Sequence, residues 1–361
     1  MKATLLIGFL IILCTCGTEE QRASREVITF WHFWSEPEQT AALSELITTF
    51  ERQNPGVDVQ LVPLQWSDGR AKLQLAFNSN TAPHIVHLGV DWFPQFANAG
   101  VFEALPDSFH LKDAPFTSAL VGPKGKPVGT LWCINARALL IDSMSPAPPG
   151  FCVNDPHNVI KRTLPFIWSF GAPRLGTSLP VWQTLDQQAV LALDSFRIVA
   201  HKARLDKASL LDKAILQGSI STVITGSWMI RSLPPQWAVS PSSQVLNGDV
   251  LAVTTGSASP TTLRLLSFLR SFEQARAFTD RVIDAGFPAD IRQLANISFP
   301  PMREGFKASV LTAIELPTSP NWLSIEEELE RLINTCAVAQ TRDQVLVAVS
   351  STRQRLMKLE K

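Results

Sequence analysis

The chain has 361 residues, with 32 basic and 32 acidic side chains that cancel. That balance gives no electrostatic footprint for nucleic acid or for an anionic membrane surface. The length exceeds what one hydrophobic core usually serves, so two lobes are expected.

Lys2 precedes an apolar run from Leu5 to Leu13, followed by Cys14, Thr15, Cys16, Gly17 and the polar stretch 18–22. A basic start, a short apolar stretch and a small-residue exit predict a secretory signal. The run is too short to span a bilayer core, which needs about 20 apolar residues. Leu13-Cys14-Thr15-Cys16-Gly17 resembles a bacterial lipobox, with an aliphatic residue three before Cys16. The resemblance implies cleavage before Cys16, a lipid on its sulfur and a tether over residues 17–26; Thr15 departs from the usual small residue, and Cys14 is the rival position.

Val27 to Phe33 is β-branched and aromatic and predicts a buried strand. Pro37 opens a helix in which Leu43, Leu46, Ile47 and Phe50 recur at helical spacing, and Asn54-Pro55-Gly56 stops it. Residues 57–62 alternate as a second strand, 69–80 form a second helix, and 85–88 are a third short strand. Strand, helix, strand, helix, strand is the order of a parallel α/β sheet, whose ligands sit beyond the C-terminal strand ends. Those ends carry His32, Trp34, Trp66, Asp91 and Trp92.

Further along, 92–98 reads as a helix, 128–141 as an apolar crossing region and 143–156, with four prolines, as a loop. Helices are expected over 185–199 and 205–216, strands over 220–224 and 250–253, then helices over 260–272, 325–336 and 342–359. Cys133, Cys152 and Cys336 show no metal-ligand spacing; Cys133 and Cys152 are read either as a disulfide or as buried thiols. A metal site at His84, His87 and Asp91 is disfavoured by the alternation of side chains along a strand. Neither a metal nor an organic cofactor is expected. No Gly-x-Ser-x-Gly elbow, phosphate loop or His-Glu-x-x-His motif is present, so no enzyme class is indicated.

The order of several motifs resembles the family 1 extracellular solute-binding proteins of ABC importers, the group with maltose- and glycerol-3-phosphate-binding proteins. The matching pieces are 28–32, 50–59, 72–77, 82–86, 96–105 and 218–228, the last ending in Gly226-Ser227-Trp228. Departures lie at His84, where the family has Asp, and around Pro146 to His157, where a motif opening a second-lobe helix is missing or shortened. The resemblance implies a two-lobed α/β periplasmic-binding-protein fold, class II-like, with discontinuous lobes joined by hinge strands. Lobe one is expected over 27–134 plus 250–298, and lobe two over 138–248 plus 300–361.

It also implies a monomer held by its lipid at the outer face of the cytoplasmic membrane or in the periplasm. There it would capture a sugar, oligosaccharide or glycerol-phosphate-like solute for the ABC permease subunits. The alternative is a surface lipoprotein that has kept the fold and lost its ligand. Sugars offer CH faces to aromatic rings and hydroxyls to polar groups, and with ten Trp and no Tyr the stacking falls to Trp. The motifs carry over Trp228 foremost, whose competing reading is a core residue, and Asp91 with Trp92, whose competing reading is a helix cap. Asn135 and Arg137 are candidates for hydroxyls or an acidic group, with Arg137 read equally as a surface bridge between lobes. Trp66, Trp168 and Trp322 are expected at the cleft rim or in the packing.

Overall fold

The computed structural model describes residues 25–109, 114–117 and 119–360. The signal segment, Cys14 and Cys16 lie outside these residues.

The first unit runs β1 (Glu26–His32), α1 (Pro37–Gln53), β2 (Val57–Pro63), α2 (Gly69–Asn78), β3 (Ile85–Gly89) and α3 (Phe93–Asn98). Pro37 pre-sets the backbone at the start of α1, and the Glu36 N–H donates to Gln39 Oε1 at 3.1 Å. β1 pairs in parallel with β2 on one side and β3 on the other. All five residues of β3 are buried, as a central strand covered on both faces requires.

The chain then enters β4 (Thr130–Ala136), and only Arg137 separates it from β5 (Ala138–Ile141). β4 belongs to the six-stranded sheet and β5 to a separate three-stranded one, so the backbone changes sheets at this residue. The second unit continues with β6 (Gly150–Cys152), α4 (Asn158–Arg162), α5 (Leu164–Ser169), α6 (Gln187–Ala200), β7 (Arg204–Asp206), α7 (Ala208–Leu216), β8 (Thr222–Thr225) and β9 (Ala238–Ser240). β5 lies between β8 and β9, and β6 pairs with β7. The proline-rich stretch therefore contains β6, and the segment expected as helix from Leu205 begins as β7; local polarity hides such three-residue strands.

β10 (Leu246–Val253) returns to the first sheet and runs antiparallel between β3 and β4. It starts four residues before the expected strand, and Leu246 to Asp249 already pair with β4 or β3. α8 (Pro260–Arg270), α9 (Phe272–Arg281) and β11 (Phe287–Pro288) follow, and β11 closes the strand order β11-β4-β10-β3-β1-β2. α10 (Ile291–Ala295), α11 (Pro301–Leu311), α12 (Trp322–Val338) and α13 (Arg342–Leu359) complete the chain.

The fold is the expected two-lobed α/β architecture. A core around Phe30, Phe50, Trp132 and Phe278 fills one side of the large sheet, and another around Phe151, Phe196, Trp168 and Leu329 fills the second unit. Cys133, Cys152 and Cys336 are buried free thiols, so the disulfide reading is corrected in favour of packing. Among the described residues no helix is long and apolar enough to cross a membrane, and no cluster of His, Cys, Asp or Glu could hold a metal.

Candidate functional site

The C-terminal ends of β1, β2 and β3 bring an aromatic group together. Trp66, 44% exposed, stacks on Phe33 with ring centroids 4.4 Å apart and meets the Trp92 ring edge-on at 5.3 Å. Beneath it, the Phe33 N–H donates to His87 Nδ1 at 3.1 Å. That bond leaves the proton on Nε2, which donates to Asp249 Oδ1 at 2.7 Å. Trp34 stacks on the His87 ring at 5.4 Å. His32 is fully buried; burial first, and then the neighbouring His87, push its pKa down to about 3, so it stays neutral. His32 and Trp34 are thus floor beneath the site and not a sugar-facing edge, correcting the expectation from strand order.

On the opposite side, Trp228 follows β8. Its side chain is 40% exposed, which overturns the reading as a core Trp. The indole Nε1–H donates to Asp212 Oδ2 at 3.0 Å, and Asp212 Oδ1 accepts from Thr225 Oγ1 and from Arg162 Nη2, both at 2.7 Å. Arg137 places its guanidinium 5.4 Å from the Trp228 ring centre, a cation–π distance. A Cβ built on Gly226 would overlap the Trp228 ring, so the backbone there forms the ring's seat. Gly226 has φ −95°, which any residue adopts, so the constraint is steric. Gly226→Ala is therefore expected to dislodge the indole, seen as a shift in tryptophan emission, with a melting temperature close to that of the parent.

Between the two sides, Lys161 Nζ meets Asp91 Oδ2 at 2.8 Å, with both side chains largely buried. Burial pushes the Asp91 carboxyl up, but the charge and hydrogen bond of Lys161, helped by His157, outweigh it and hold it below the usual aspartate range. Asp91 makes no cap bond to α3, whose N-cap is Trp92, so the helix-cap reading is corrected. A cavity of 40 Å³ borders this pair, lined also by Phe116, Asn247, Trp322 and Glu326. A second, of 530 Å³, opens between α1 and Trp228, with Arg231 and Asp284 in its wall. That volume suits a small organic ligand. Further contacts join the two sides: Ser227 Oγ donates to the Ile283 carbonyl at 2.8 Å, and Arg231 meets Glu38 at 3.1 Å.

The predicted residues thus sort into three groups. Asp91 lines the small cavity and Trp228 the larger one with Arg137 over its ring, Trp66 is exposed after β2 with Trp92 against it, and Asn135 lies half-buried on β4. Trp322 is 4% exposed yet borders the small cavity. Trp168 is packed in the second core with its indole N–H donating to the Leu175 carbonyl at 2.8 Å, so its expected place at the rim is corrected. His84 is held by Thr29 and His87 by Asp249. Lys161, Arg162 and Asp212 were missed by sequence reasoning. The adjacent cations Lys161 and Arg162 after the proline-rich loop were the one local signal for two of them; Asp212 left none.

Residues 34–129 match the family model described as bacterial extracellular solute-binding protein. The GacH receptor of Streptomyces glaucescens, solved without ligand and with acarbose, superposes with a TM-score of 0.72 at 18% identity, over 93% of this chain and 98% of that one. This chain has the fold of the bacterial extracellular solute-binding proteins. MalE, the sugar-binding protein of Xanthomonas citri, shares this solute-binding fold with a TM-score of 0.71 at 16% identity, over 92% and 97% of the two chains. In sequence, the putative ABC transporter periplasmic-binding protein YcjN of Escherichia coli is 29% identical over 91 residues, 25% of this chain. That match spans about a fifth, 21%, of the relative's length.

Proposed function

We propose that this chain is the extracytoplasmic solute-binding component of an ABC importer, and that it captures a sugar between its two units without transforming it. The observation that carries the reading is that each unit presents an exposed tryptophan, Trp66 after β2 and Trp228 after β8, with Arg137 over the Trp228 ring and Asp91 lining a cavity bordered by both units. Rings of this kind stack on the CH faces of a sugar while the charged groups take its hydroxyls. Crystal structures of the same fold hold acarbose in the GacH receptor and maltotetraose in a cyclo/maltodextrin-binding protein, which supports the same ligand class here.

Within this reading Asp91, Asn135, Arg137, Trp66 and Trp228 touch the solute, and His32, Trp34, Trp92 and Trp322 hold those residues in place. The lobe limits 27–134 with 250–298, and 138–248 with 300–361, belong to the same proposal, as do a lipid on Cys16, a monomeric state and docking to permease subunits. A family of binding proteins, with Trp228 open to solvent, favours ligand capture over the structural-lipoprotein reading.

Titration with a panel of mono- and oligosaccharides, followed by tryptophan emission, tests the proposal. A saturable change is expected for at least one sugar, recovered unaltered by chromatography. Trp228→Ala is expected to weaken that binding by about tenfold or more, since an aromatic contact adds about 0.5–1.5 kcal/mol beyond the buried area it supplies. A panel without response, or equal binding by Trp228→Ala, would sink the reading.

A further inference from the structure

Several charged groups meet near Trp228. Asp91 is paired with Lys161 at 2.8 Å, and Asp212 with Arg162 at 2.7 Å, while the cavity that Trp228 lines also carries Glu36, Glu38, Asp284, Arg231 and Arg281. Arg137 is a further cation, set over the Trp228 ring. Its Nε is buried without a hydrogen-bond partner, and the acids nearest it, Asp91 and Asp212, pair instead with Lys161 and Arg162. A second guanidinium nitrogen, Arg162 Nη1, is also buried without a partner. Arg162 itself is 1% exposed, with Nε donating to the Ile224 carbonyl at 2.6 Å.

Unsatisfied donors on a buried cation are costly, because the desolvation is incurred while the compensating bond is missing. Burial, followed by the charge of Arg162, brings the Arg137 pKa down to about 10, with Asp91 and Asp212 only partly opposing it. It remains a cation at neutral pH. Its place is also specific: the one residue between β4 and β5, where the backbone changes sheets, facing a Trp that is open to solvent. A hydroxyl would accept one hydrogen bond there and leave the charge unmatched. A carboxylate or phosphate would supply both the acceptors and the missing negative charge, in the bidentate geometry a guanidinium favours.

We propose that the solute is an anionic sugar whose acidic group is received by Arg137 while its ring lies against Trp228. The inference rests on the sugar-binding reading and narrows it. Lys161 and Arg162 are already paired with Asp91 and Asp212, so of these three neighbouring cations Arg137 is the one left to pair with an acid on the ligand.

The test is emission titration of the full chain at constant ionic strength with D-glucuronate, D-galacturonate, D-glucose 6-phosphate and sn-glycerol 3-phosphate, beside neutral D-glucose and D-galactose. An acidic ligand is expected to bind about ten- to a hundredfold more tightly than its neutral counterpart, the range of a desolvated charge-assisted hydrogen bond. Preference for the uronates assigns a carboxylate, and preference for the phosphates a phosphate monoester. Arg137→Gln is expected to abolish the preference and Arg137→Lys to retain part of it; because the Arg137 Nε has no partner, both variants should melt near the parent. Neutral sugars that bind as tightly as their acids, or an Arg137→Gln protein that keeps the preference, would overturn this inference and leave the sugar reading standing. If no member of either set binds, this inference falls, and the oligosaccharides of the first panel decide the sugar reading.

Discussion

Arg162→Met is expected to lower the unfolding free energy by about 3–5 kcal/mol, the range for removing one partner of a buried ion pair. The side chain is 1% exposed and ties three elements together: it ends α4, donates to the backbone of β8 at Ile224, and pairs with Asp212 on α7. Methionine fills much of the volume but leaves the Ile224 carbonyl without its donor and Asp212 without its cation. Thr225 and Trp228 still donate to Asp212, which keeps the loss from being larger. Urea unfolding measures the effect. The double variant Arg162→Met/Asp212→Leu is expected to recover part of it, since the uncompensated acid is then gone. A single-variant loss below about 1 kcal/mol would show that the pair does not hold α4, α7 and β8 together.

The other large effect is expected at Trp132. It lies in β4 with no exposed surface, stacks on Phe278 with ring centroids 4.7 Å apart and meets His87 edge-on at 5.7 Å. Truncation to alanine opens a cavity in the layer that supports the crossing strand, and a buried Trp lost in this way costs about 3–5 kcal/mol. Trp132→Phe is expected to cost far less, because the indole Nε1 has no hydrogen-bond partner to lose. Equal destabilisation by the two substitutions in thermal or urea unfolding would refute this account. Sugar binding by the Phe variant should stay near that of the parent, since Trp132 has no exposed surface and meets His87 beneath the site.

The parallel half of the large sheet was legible because its signals are local. Apolar alternation in Val57 to Val62, helical spacing from Leu43 to Phe50 and the Asn54-Pro55-Gly56 stop each report on neighbours in sequence. What escaped depends on distant partners. β6 and β7 are three residues long and exist only because each finds the other across about fifty residues. Asp91 carried two local meanings, cap and ligand contact, and only the arrival of Lys161 from 70 residues away separates them. Trp168 and Trp228 sit in comparably apolar surroundings, yet one is packed against Leu175 and the other is left open by the seat at Gly226. Arg137 could be picked out as a candidate because a lone cation between two apolar strands has no local reason to be there.

The insertion of β10 between β3 and β4 also sets a condition on the order of synthesis. When the ribosome has made the first 136 residues, β1, β2, β3 and β4 exist but the strand that joins β3 to β4 does not. Contacts so distant in sequence form slowly, because a long loop has to close before they stabilise anything. The first sheet therefore stays open at its centre until residue 253 has emerged, and the nascent chain is kept in an unfinished state during most of its translation. A chain proposed to be exported is therefore expected to keep its early strands without their central partner until late in synthesis.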